Sequence, residues 1–78
     1  MNFEIIYGNS TRFLTGMATP QQACLQVLED VTRETGKVQI SPFRVENLTT
    51  GKSEIIPMGE IVGLKILSNN FAGVDDEN

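Results

Sequence analysis

The stretch GEIVGLKIL, residues 59–67, decides how this chain is drawn. With a period of two, Val62, Leu64 and Ile66 fall on one side, and Ile61 and Leu67, flanking Gly63 and Lys65, on the other. Gly59 resets the chain, and residues 60–67 are expected to form the last and most apolar strand. Such a strand carries apolar residues on both faces. A helix about 10 Å wide covers one face only, and a sheet of four strands about 4.8 Å apart is wider than that helix. Ile6, Leu14, Ile61 and Leu67, together with Ile56, are therefore the candidates for a second, uncovered patch. Apolar patches of this kind on small proteins mark contact with another chain.

The segment just before it, NLTTGKSEIIP at residues 47–57, contains Gly51-Lys52-Ser53, the ending of a phosphate-binding loop. The motif needs a glycine five residues before Gly51, and that position holds Glu46, whose carboxylate repels phosphate. It also needs a helix afterwards, whereas Ile55-Ile56-Pro57 suits a strand. The stretch is read instead as a hairpin: Thr49-Thr50-Gly51-Lys52 turns the chain, Gly51 supplies a positive φ, and a strand returns over 53–58. Upstream, Val38 and Ile40 share one phase, Phe43 and Val45 the opposite one, with Ser41-Pro42 between them. That pattern predicts a kinked edge strand.

The helix is announced most clearly. Thr19-Pro20-Gln21-Gln22 places a Thr N-cap before a proline at the first helical position, with Gln at capping-box spacing. Ala23, Cys24, Val27, Leu28 and Val31 form one apolar stripe, and Gly36 supplies the left-handed stop, so the helix is expected over 20–35. Near the start, Phe3, Ile5 and Tyr7 alternate as a strand, Gly8-Asn9-Ser10 turns, and residues 11–15 return as a second strand or as a loop. The fold class is α+β: an antiparallel or mixed sheet of four to five strands with one helix on one face, in the order β(β)αβββ.

Residues 1–68 are expected to form this domain, and residues 69–78 an acidic, mostly disordered tail. Asp75, Asp76 and Glu77 supply three of the ten acids, so the net charge of −4 leaves the remainder close to neutral. The single cysteine forms no internal disulfide, no signal-peptide pattern or membrane-length apolar run is present, and a cytoplasmic home is the simplest.

Histidine is absent, Cys24 sits on the apolar stripe, and the carboxylates have no enforced spacing. No catalytic set, metal site or cofactor site is expected, and the protein is read as non-catalytic. The function expected is a protein-protein interaction module, an accessory or inhibitory protein acting through an apolar sheet face or an edge strand, as a homodimer or on a larger target. The alternative is weak binding of single-stranded DNA or RNA through Arg44, Lys52 and Lys65 with an aromatic nearby. A third reading, an acidic decoy acting through the tail with Glu29, Asp30 and Glu34, sits poorly with the near-neutral remainder.

Overall fold

The computed structural model describes residues 1–76, with side chains described for residues 1–67. The chain runs β1 (Phe3–Tyr7), β2 (Ser10–Leu14), α1 (Pro20–Thr35), β3 (Phe43–Asn47), β4 (Ser53–Ile56) and α2 (Met58–Asp76). The four strands form one antiparallel sheet in the order β2-β1-β3-β4, and the chain is a small compact α+β domain.

Local chemistry accounts for most of these elements. The Thr19 side chain accepts from the Gln22 backbone N–H at 3.1 Å, and Pro20 opens the helix without needing a donor. Gly36, at φ 72°, closes α1 by donating its backbone N–H to the Thr32 carbonyl. Between β1 and β2 the turn has two residues, and Gly8 takes the positive φ that its first central position demands. In the β3–β4 hairpin the Asn47 carboxamide oxygen accepts from the backbone N–H groups of Thr49 and Thr50. Gly51, at φ 80°, donates to the Asn47 carbonyl at 2.7 Å, as the hairpin reading requires.

Phe3, Ile5 and Tyr7 from β1, Phe43 and Val45 from β3 and Ile56 from β4 point to one side of the sheet. There they meet Ala23, Cys24, Val27, Leu28 and Val31 of α1. Tyr7 and Phe43, directly opposite in register, stack with centroids 4.5 Å apart. The edge strand β2 is tied to α1 where an Arg12 nitrogen donates to both Glu34 carboxylate oxygens, at 3.0 and 2.9 Å.

The structure corrects the sequence reading in two places. Residues 60–67 are helical, so the element order ends βα rather than ββ, and the molecule has two helices where one was expected. Pro57 follows directly on β4, which ends at Ile56 rather than Met58, and cannot donate to a ladder. A helix beginning there aims Ile61 into the core, where it is wholly buried, and sets Lys65 3.9 Å from Glu29 of α1. The two apolar phases that suggested a two-sided strand dissolve on that helix: Val62 and Ile66, four residues apart, share one side, and Leu64, two residues from each, lies nearly opposite. The second correction concerns the kinked strand: β3 begins only at Phe43, and residues 38–42 run outside the sheet, with Ile40 91% exposed. Tyr7 pins this segment by donating its hydroxyl to the Gln39 carbonyl. The acidic tail expected over 69–78 falls on side chains outside the described ones, and residues 77 and 78 lie outside the described residues altogether.

Candidate functional site: the uncovered sheet face

Strand alternation and the observed register fix what the other sheet face carries. One row across the strands β2-β1-β3-β4 reads Phe13, Glu4, Glu46, Ser53, and the adjacent row reads Thr11, Ile6, Arg44, Ile55. Among the described residues no helix covers this face: Phe13 is 66% and Ile55 67% exposed, and Ile6 between them is half-buried. Glu4, Ile6, Arg44, Glu46, Ser53 and Ile55 line a shallow depression of about 330 Å³.

The polar residues here are arranged unusually. Glu4 and Glu46 stand directly opposite each other on neighbouring strands, where like charges destabilise pairing. Arg44 lies one row away, opposite Ile6, and the ion pairs among the described residues involve other arginines and Lys65, leaving Arg44 without a carboxylate within 4.0 Å. A cation and two carboxylates thus face solvent beside three apolar side chains.

Of the five candidates for an apolar contact patch, Ile6 lies on this face. Ile56 and Ile61 are core residues on the opposite side, Leu14 is half-buried against that core, opposite Phe3, and Leu67 is exposed on α2. Phe13 and Ile55 were missed as members. The hairpin carried the signal for Ile55: with Phe43 and Val45 turned inward, the turn at Asn47 and Gly51 pairs Phe43 with Ile56 and leaves Ile55 facing out.

The structure also does not gather Arg44, Lys52 and Lys65. Arg44 lies on the uncovered face between Ile6 and Ile55 of the neighbouring strands, Lys52 in the β3–β4 loop, and Lys65 on α2 beside Glu29. Tyr7 is buried away from all three. Cys24 is buried in α1, and burial together with the nearby Glu54 and Glu60 carboxylates pushes its thiol up to about 12, which keeps it protonated and unreactive at neutral pH. No helix among the described residues is long and apolar enough to cross a membrane.

These features define a two-layer α+β protein with a helix-covered sheet face and an open one. Compared with protein-family models, curated proteins and solved structures, this chain finds no match.

Proposed function

We propose that the protein is a non-catalytic protein-protein interaction module that binds through the open sheet face. The observation that carries this reading is the pair of largely exposed side chains, Phe13 and Ile55, flanking Ile6 across the width of a sheet face that no helix among the described residues covers. Aromatic residues and arginine are enriched at protein interfaces, and Phe13 and Arg44 both stand on this face, where the charges would fix orientation. An accessory or inhibitory protein acting on a larger target in the cytoplasm fits the small size and the single buried thiol. Nucleic acid is the weaker reading, since the three basic residues are scattered and Arg44 shares its face with Glu4 and Glu46.

The test compares the immobilised wild type with Phe13→Lys/Ile55→Lys in lysate with and without nuclease, with thermal melts run on both proteins. The reading requires a protein retained by the wild type through nuclease and lost by the variant at unchanged melting temperature. Equal recovery by both rejects the open face, and loss of all recovery on nuclease treatment promotes nucleic acid.

A further inference from the structure

We infer that one occupant of the open face is a second copy of this chain, packed face to face about a twofold axis perpendicular to the strands, with Arg44 of each copy set against Glu46 of the other. This rests on the reading of the open face as a docking surface and names its partner.

The argument is charge complementarity within two adjacent rows. A twofold perpendicular to the strands and passing between the rows exchanges them strand by strand. Glu46 then meets the other copy's Arg44 twice over, Ser53 meets Ile55, Phe13 meets Thr11, and Glu4 meets Ile6. Each arginine, without a carboxylate partner among the described residues of its own chain, arrives beside the opposed Glu4 and Glu46, whose mutual repulsion it relieves. A twofold parallel to the strands instead sets Glu4 of one copy on Glu46 of the other, which like-charge repulsion disfavours. The charge pattern therefore selects one of the two orientations.

Footprint sets the strength. Four strands about 4.8 Å apart and five residues at about 3.4 Å give a face of roughly 19 by 17 Å. That is below the roughly 800 Å² per partner of standard interfaces, so the contact belongs among weak associations formed at high protein concentration.

The experiment is sedimentation equilibrium over a concentration series up to about 1 mM, the range suited to weak association. The wild type, Arg44→Glu, Glu46→Arg, an equimolar mixture of the two variants, and the double variant are compared, each with a thermal melt. The wild type is expected to self-associate, and each single variant to weaken the dimer at least about tenfold through two repulsive contacts. The mixture re-forms the dimer as a heterodimer, since the carboxylate introduced at position 44 of one variant meets the guanidinium introduced at position 46 of the other, and the double variant re-forms it alone. A wild type that stays monomeric throughout overturns the proposal but leaves the Phe13→Lys/Ile55→Lys test of the face untouched. A dimer unchanged in both single variants, or variants that weaken it without rescue in the mixture, overturns the Arg44–Glu46 contact.

Discussion

The two faces of one sheet differ in every respect that matters for function, although they are built from the same four strands. On the covered face Phe3, Ile5, Tyr7, Phe43, Val45 and Ile56 are buried against α1, with the polar members kept to the margins: Ser10 and Arg12 on β2, Glu54 on β4 and Asn47 at the end of β3. On the open face Phe13 and Ile55 sit on the edge strands, and Ile6 shares the middle strands with the charged residues, two of whose carboxylates are opposed. Phe13 and Ile55 stay largely exposed on the open face, which also opposes Glu4 to Glu46, whereas the covered face opposes no two like charges. Alternation lets a strand build both faces at once, because neighbouring residues never share a side.

Truncation gives the sharpest test of this contrast. Phe43→Ala is expected to cost about 3–5 kcal/mol, as a large buried side chain leaving a cavity, whereas Ile55→Ala, on the next strand but facing out, is expected to stay within about 0.5 kcal/mol. Denaturant titration of both variants measures it, and equal losses would abolish the distinction between the faces. Ile61→Ala is expected to cost about 2–5 kcal/mol, and Leu67→Ala far less. Equal losses for these two would mean that Ile61 does not join the core on the covered side.

Alkaline pH acts on the covered face alone. Burial raises the Cys24 thiol from 9.0 to about 12 and also raises the Tyr7 hydroxyl, with its bond to the Gln39 carbonyl working the other way. Below pH 9 the thiol is largely protonated in both folded and unfolded chains and its contribution to stability does not change with pH. Above it the unfolded chain loses the proton that the folded chain keeps, so stability falls as pH rises towards about 12. Urea unfolding at about pH 8 and about pH 10.5 should show this fall, and Cys24→Ala should reduce it. A slope unchanged by that substitution would place its origin elsewhere. The smallest effect belongs to the open face: Glu46→Gln removes one of two opposed carboxylates and is expected to raise monomer stability by about 0.2–1 kcal/mol. A loss instead would show that Glu46 has a favourable partner within its own chain.

Legibility in the sequence followed the range of the forces involved. Helix α1 was readable to its ends because Thr19, Pro20 and Gly36 act on backbone groups within one turn of themselves. The hairpin was readable for the same reason, through Asn47 and Gly51. Helix α2 was not, since glycines at 59 and 63 weaken a helix and the β-branched Ile61, Val62 and Ile66 favour a strand locally. That error carried into the site. It moved Ile61 from the core to the supposed patch, while a one-residue error in the phase of β4 exchanged Ile56 for Ile55.

By itself the sequence determined the α+β class, the capped helix, the β3–β4 hairpin and the alternating first strand, because turn chemistry and side-chain periodicity are local properties of the chain. Tertiary structure alone decided that residues 58–67 close the core as a helix, that Phe13 and Ile55 share a face, and that Glu4 stands opposite Glu46. Those outcomes depend on which strands become neighbours and in what register, and the free energy that selects them comes from burying Phe3, Ile5, Tyr7, Phe43 and Ile61 together, residues up to 58 positions apart.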